Sequence, residues 1–331
     1  MISFLLGADD LADTRFAISP LQEAMGSLWA LSDPGRYPLH APWRRAVLER
    51  LDPRDARVLL ALVGPRFALP DFLTPRPTNF APTLDEELAA VAATGPDVVR
   101  RDLRATYAPH PLPALFAAVD APGDEPVLAL RDRLGALLRR YWDLAFAPDW
   151  PAMRLVLEAD VTHRARSLAT GGARRLFDEL HPNLRWDRGA LHIEQMIGRH
   201  RVAADGRGLP LVPSLFAYKP VPPLSPDVPP VLTYPSRGVA TLWQAAPEPV
   251  PRGALTALLG GPRARLLGLL DEPLPTVELA RLLAVTPSAV SQHLRVLYGA
   301  GLVTRVRDGR QVLYRRSELG DLLAVDRAGA G

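Results

Sequence analysis

The residues best suited to chemistry lie between Thr286 and Arg310. Ser288, Ser291, Gln292 and Arg295 recur at three- and four-residue steps, which gathers short or planar hydrogen-bonding groups on one face of a helix over about 287–299. Val290, Leu294 and Leu297 keep the same period on the other side, as a buried stripe. An apolar back with slim donors and acceptors in front is what a helix needs to read base edges in the major groove of DNA. Ser288, Ala289, Ser291 and Gln292 are the base-edge candidates, since a glutamine amide matches adenine and a serine hydroxyl matches a base or a phosphate. Thr286 suits the helix cap and Pro287 its first turn, which sets Thr286 at the same surface. His293 fits either a phosphate contact or a buttress for the turn before the helix.

A basic hairpin is expected next. Asp308-Gly309 stands between Leu302–Arg307 and Arg310–Arg316, and Asp-Gly between strand-like runs is the strongest short-range hairpin signal. A two-residue loop at Asp308-Gly309 sets Arg307 opposite Arg310 and Arg305 opposite Val312. Like charges facing each other are unfavourable alone, and a phosphate backbone reverses that penalty. Arg295, Arg305, Arg307 and Arg310 are therefore expected to contact the DNA backbone.

Other reactive side chains form no comparable pattern. Asp160 and His163 lie one helical turn apart, and His192, Glu194 and His200 cluster in sequence; either set is more simply an ordinary surface or core group than a metal site. The chain has no His-Glu-x-x-His, no Gly-x-Ser-x-Gly and no phosphate-binding loop. Its single lysine is Lys219, flanked by proline, which argues against lysine-based covalent or phosphate chemistry. With 0 cysteines, disulfides, thiolate nucleophiles and Cys-ligated zinc are excluded. No catalytic residue, metal or other cofactor is expected, and the chain is not expected to be an enzyme. Tyr218, Tyr234 and Trp243, with Arg237 and Gly238, fit an effector pocket, a domain contact or a plain core, and the core is preferred. Tyr141 and Trp142 are likewise read as core.

The elements that position these residues follow from length and composition. A chain of 331 residues exceeds one ordinary core, so two domains are expected. Net charge is +3 overall, yet residues 251–331 hold 11 basic and 7 acidic side chains, net +4, which leaves −1 on the remainder. All 6 Trp and 9 Phe precede residue 244, and residues 220–251 contain 10 prolines. A proline-spaced connector is extended and semi-rigid. The expected organisation is therefore a sensory or assembly domain over 1–245, a Pro-rich linker over 246–252 and a DNA-binding domain over 253–331.

The large domain reads as mostly helical. Asp52-Pro53 and the Thr83/Glu86 capping box start two helices. Leu130, Leu134, Leu137, Leu138 and Tyr141 mark a third, and another begins near Asp149–Pro151 and kinks at Gly171-Gly172. Short strands are expected after about 183, with a turn at Asp187–Gly189. In the small domain the expected elements are an apolar helix over 254–270, a short helix from Thr276 with Thr276 as its cap, the 287–299 helix, a wing over 302–316 and a last helix from Ser317 to Val325. The fold class is mainly α with small β parts. Met1–Asp10 does not read as a signal peptide, and no run of 18 apolar residues suggests a membrane span, so a cytoplasmic protein is expected.

Helix, helix, turn, helix and basic wing is a winged helix-turn-helix order. The run LARLLAVTPSAVSQHLRVLYGAGLVTRVRDGRQVLYR resembles the ArsR-type transcriptional regulators. Ser288, Val290, Ser291, His293, Leu294 and Leu297 follow that pattern with one residue fewer between the first Ser and Val, and Ala300-Gly301-Leu302-Val303 and Gly309-Arg310 with Tyr314 also fit. The resemblance covers about 75 residues, under a quarter of the chain. Residues 8–31 and 234–243 resemble the amino-terminal part of long ArsR-like regulators, which implies no activity. Thr276–Leu283, where the family carries its cysteines, has neither Cys nor His, and Glu318–Val325 has no His, so neither metal site of the family is expected.

The resemblance implies a homodimeric regulator on double-stranded operator DNA, with a possible small-molecule effector bound by the large domain. Two half-sites extend the few base pairs that one short helix reads. The rival expectations are a binding or assembly protein, or an enzyme, whose main activity lies in 1–245 with the winged helix as an accessory.

Overall fold

A computed structural model describes residues 1–196, 198–243, 254–308 and 311–324. The chain divides into two units, Met1–Gln244 and Ala245–Gly331. The expected linker, 246–252, lies outside the described residues.

In the first unit the elements run β1 (Ile2–Leu5), α1 (Ala8–Ala12), β2 (Arg15–Phe16), α2 (Pro20–Ser32), α3 (Ala41–Arg50), α4 (Pro53–Ala61), α5 (Leu84–Ala92), α6 (Pro96–Tyr107), α7 (Glu125–Ala145), α8 (Trp150–Leu180), β3 (Leu184–Asp187), β4 (Ala190–Ile193), β5 (His200–Ala203), β6 (Pro210–Ser214) and β7 (Leu232–Pro235). Local chemistry sets their ends. Asp52 Oδ1 accepts the Arg54 and Asp55 amides at 2.7 and 3.3 Å and so starts α4. Thr83 Oγ1 accepts the Glu86 amide at 3.2 Å while Glu86 Oε2 accepts the Thr83 amide at 2.7 Å, the reciprocal box that starts α5. Gly172, at φ 70 and ψ −177, breaks the helical path inside α8.

The helical core brings Leu21, Met25 and Leu28 of α2 against Leu130, Leu134 and Leu138 of α7. Tyr141 is buried there, 2.6 Å from the Ser27 hydroxyl, and Trp142 stacks on Phe146 at 5.1 Å between ring centres. Two small sheets complete the unit. One has the order β3-β4-β1-β5, with β1 antiparallel to β4 and parallel to β5; the other is β2-β6-β7, parallel throughout. Leu176, Phe177 and Leu180, at the end of α8, pack with Ile2, Phe4, Leu191 and Ile193 of the first sheet. Two strands thus precede those expected after 183, and β1 sits inside its sheet. A four-residue segment carries too little periodicity to declare itself a strand.

The aromatic group of uncertain role divides. Tyr234 is fully buried and its hydroxyl donates to Asp160 Oδ2 at 2.9 Å. Asp160 also accepts the Arg237 amide at 3.2 Å and pairs with Arg164 at 3.5 Å, while His163 contacts the Arg237 guanidinium. The Trp243 indole donates to His40 Nδ1 at 3.0 Å. These are core roles; Tyr218 instead stands 41% exposed at a cleft. His192 Nδ1 lies 2.9 Å from Ser3 Oγ and Glu194 pairs with Arg185, whereas His200 is on β5, across β1 from His192.

The second unit runs α9 (Ala254–Leu259), α10 (Gly261–Leu269), β8 (Leu274–Pro275), α11 (Thr276–Leu283), α12 (Pro287–Gly299), β9 (Val303–Asp308), β10 (Gln311–Arg316) and α13 (Glu318–Ala324). Its core joins Leu266, Leu267 and Leu270 to Leu279, Ala280, Val290, Leu294 and Leu297. Three expectations change here. The apolar run 254–270 is two helices, because Gly260 at φ 80 and ψ 146 turns the chain between them. Thr276 is the first residue of α11 and not its cap: Leu274–Pro275 is extended and paired with β10, so Pro275 holds the cap position.

The third change is the hairpin register. Asp308 pairs with Gln311, Arg307 with Val312 and Arg305 with Tyr314, so Arg307 does not face Arg310. The strands are displaced by one residue each from the expected pairing. Such a shift leaves every side chain on its original face, so alternation alone cannot distinguish the two registers. Tyr314 packs on the small core and pairs with Leu274 of β8, contacts that go with the observed register.

Candidate nucleic-acid interface

The turn before α12 is set by three local features. Ala284 takes the left-handed conformation, at φ 52 and ψ 45, and closes α11. Thr286 is extended and its hydroxyl accepts the Ala289 amide at 3.3 Å. Pro287 then opens the helix without an unused amide hydrogen. Behind the turn, Ala280 is buried where α11 meets α12; a larger side chain there would separate the two helices.

α12 has two distinct sides. Val290, Leu294 and Leu297 are buried, and about 100° of rotation per residue sets Ser288, Ser291, Gln292 and Arg295 on the opposite, exposed face. Ala289 and His293 are half-buried on its flank, between the open face and the core stripe. Thr286 is exposed at the beginning of the same surface. The structure therefore brings four of the candidate contacts onto one face and places Ala289 and His293 beside it.

In the wing, Arg305 and Arg307 are exposed on one face of β9. Arg310 lies outside the described residues. The Arg305 guanidinium sits 4.5 Å from the centre of the Tyr298 ring, near the end of α12. Sequence spacing alone did not pick out Tyr298; its one signal was a large aromatic at a position off the buried stripe. Arg316 anchors the root of the hairpin, donating to the Leu267 carbonyl at 3.2 Å and to Asp321 Oδ1 at 2.7 Å. On α11, Arg281 pairs with Glu278 at 3.1 Å and holds that carboxyl below its ordinary range, so this turn adds no net charge.

A helix-turn-helix domain family matches residues 262–306, which span α10, α11, α12 and the first half of the wing. A protein of Halobacterium salinarum named as an arsenical resistance operon repressor, ArsR, is 41% identical over 76 residues. The second unit is a helix-turn-helix domain, similar over this stretch to that ArsR repressor. The match to the Halobacterium protein covers 22% of this chain and 59% of that relative's length. Among solved structures, the adhesin competence repressor of Streptococcus pyogenes aligns at 22% identity, over 21% of this chain and 60% of that one, with a TM-score of 0.19. The fold class is the expected one, mainly α with small β parts, and the helix-turn-helix family match lies within the second unit.

The helix-turn-helix domain offers a polar helix face about two turns long next to a cationic hairpin. The face can donate and accept hydrogen bonds at base edges, and the hairpin can neutralise phosphate. Among the described residues no helix is long and apolar enough to cross a membrane.

Proposed function

We propose that this protein is a sequence-specific transcriptional regulator of the ArsR type, a cytoplasmic homodimer that binds double-stranded operator DNA through α12 and the β9–β10 wing. The observation that carries the reading is the exposed row of Ser288, Ser291, Gln292 and Arg295 directly opposite the buried stripe of α12. A solvated helix face needs no particular shape, whereas this row is short or planar and hydrogen-bonding throughout and flanked by the wing arginines. In this reading the first unit senses a small molecule and controls operator binding, and the protein is a regulator and not an enzyme.

Leu258 of α9 and Leu319 and Leu323 of α13 support the dimer: they are 70%, 50% and 38% exposed on two helices that both adjoin α10. Exposed leucines on helices that share a neighbour suit burial against a second copy.

Selection of bound fragments from genomic DNA by the full-length protein tests the proposal. Enrichment of a two-fold-related sequence is expected. Gln292→Ala should then lower the preference for that sequence over random DNA while binding to random DNA is kept. No enriched sequence, or equal loss on both DNAs, overturns base reading by α12.

A further inference from the structure

The first unit contains a cleft of about 520 Å³, formed by α2, the chain after α4, the chain before β5 and the loop preceding β7. That volume lies within the range of roughly 300–1,000 Å³ that encloses most of a drug-sized molecule. Its walls include Trp29, Phe67, Tyr218, Val221, Leu224 and Val231. The charged side chains at the cleft are mostly cations: Arg36, Arg66 and Lys219. Asp71 is the carboxylate among the lining residues, and both of its oxygens are engaged, accepting the Leu224 amide at 2.9 Å and the Ser225 amide at 2.8 Å. Asp71 thus holds the wall loop in place.

Two cations share one ring. The Arg36 guanidinium lies 5.1 Å from the centre of Tyr218 and 4.7 Å from that of Phe67, and donates to the Tyr218 hydroxyl at 3.1 Å. Lys219 Nζ is 5.6 Å from the same Tyr218 ring, and among the described residues it makes no ion pair. Arg36 has Asp33 at 3.6 Å, outside the cleft lining. His200 also lines the cleft, and its Nε2 is buried with no hydrogen-bond partner among the described residues, a polar atom that a ligand would satisfy.

The aromatic wall is also held in a form that an aromatic residue seldom adopts. Phe67 has φ 58, in the left-handed region. The Trp29 indole N–H, donating to the Phe67 carbonyl at 2.9 Å, and the Gly64 amide, donating to the Ala68 carbonyl at 2.9 Å, keep it there. Backbone outliers of this kind concentrate where a site must be shaped before its ligand arrives.

We propose that this cleft binds a flat, apolar carboxylate, its ring body against Phe67, Tyr218 and Trp29 and its carboxylate beside Arg36 and Lys219. Apolar walls select the body, and three cations against one engaged carboxylate select an anion and reject a cationic ligand. The inference rests on the regulator reading for its consequence, since the carboxylate would be the effector of that regulator.

The test is calorimetric titration of the full-length protein with 2-naphthoate and with its uncharged counterpart 2-naphthamide, in the absence of DNA. One naphthoate per chain is expected, bound at least tenfold more tightly than the amide. Lys219→Met and Arg36→Leu should each remove most of that preference with an unchanged circular dichroism spectrum. A salt series on the unmodified protein reads the same contact without any substitution: added salt should weaken the acid and leave the amide unchanged. No binding of naphthoate, equal binding of acid and amide, or a preference insensitive to both substitutions and to salt overturns the proposal. None of these readouts involves DNA, so their failure leaves the operator reading standing, and failure of the DNA selection leaves the naphthoate result standing.

Discussion

Arg305 of the wing and Tyr298 of α12 are in direct contact, the guanidinium 4.5 Å from the ring centre. The pair ties the angle of the hairpin to the end of the helix that carries Ser291, Gln292 and Arg295. Arg305 is exposed, so a phosphate can still accept from its N–H groups while the ring supports it.

Replacing Arg305 by Ala should therefore weaken binding to specific and random DNA alike. Each phosphate contact contributes about 0.9 to the slope of log K against log salt, so losing one per subunit flattens the slope by about two for a dimer. Tyr298→Leu keeps the arginine and removes its platform, and should weaken binding with a smaller change in slope. Fluorescence anisotropy over a salt series measures both. An unchanged slope in Arg305→Ala would show that this arginine touches no phosphate.

Leu319 and Leu323 are one turn apart on α13 and both exposed. A leucine moved from water into an interface contributes on the order of 1.5–3 kcal/mol, so a doubly charged replacement should abolish a contact built on these two. If the proposed dimer forms through these residues, Leu319→Asp with Leu323→Asp is expected to give a monomer in sedimentation velocity and to weaken operator binding accordingly. A dimer that persists in the double variant would place the interface elsewhere.

These positions show what a sequence can and cannot reveal. The two sides of α12 were legible because Val290, Leu294 and Leu297 repeat at the helical period over three turns, and Thr286-Pro287 marks the start. The wing was legible as a hairpin but not in register, since a displacement of one residue per strand leaves Arg305 and Arg307 on the same face. The strand Ile2–Leu5 is too short for a period to show. The cleft was hidden for another reason: Trp29, Phe67 and Tyr218 come together only through tertiary packing, and no spacing along the chain connects them.

Gly320 provides a test of close packing within the second unit. A Cβ at this position would stand 2.1 Å from the Leu302 carbonyl oxygen, nearer than atoms can approach. Alanine is ordinarily the better helix former by about 1 kcal/mol. Gly320→Ala should nonetheless lower Tm, because α13 must move off the chain before β9 to make room. Gly268→Ala is the control, for its Cβ would meet nothing within 4 Å and it lies in α10, so there Tm should rise. Tm changes of the same sign in both variants would contradict the close approach of Gly320 to Leu302.

Glu23 makes a pH-dependent prediction for the first unit. It lies on α2, fully buried, where Oε2 accepts the Leu215 amide at 3.0 Å and Oε1 has no partner among the described residues. Burial pushes its carboxyl up from 4.5 to about 8. Between those values the folded chain keeps the proton that the unfolded chain gives up, so the native state binds more protons and stability must fall as pH rises. The contribution is fully present below about pH 4.5, declines up to about pH 8 and is constant above it. Glu23→Gln retains the shape and an acceptor for Leu215 but cannot ionise. Relative to the unmodified protein it should be progressively more stable from pH 5 to pH 8, each unit of displacement being worth about 1.4 kcal/mol. Urea unfolding followed by Trp fluorescence reads this unit alone, because all 6 Trp lie within it. A difference between the two proteins that is the same at pH 5 and pH 8 would show that Glu23 is ionised in the folded state.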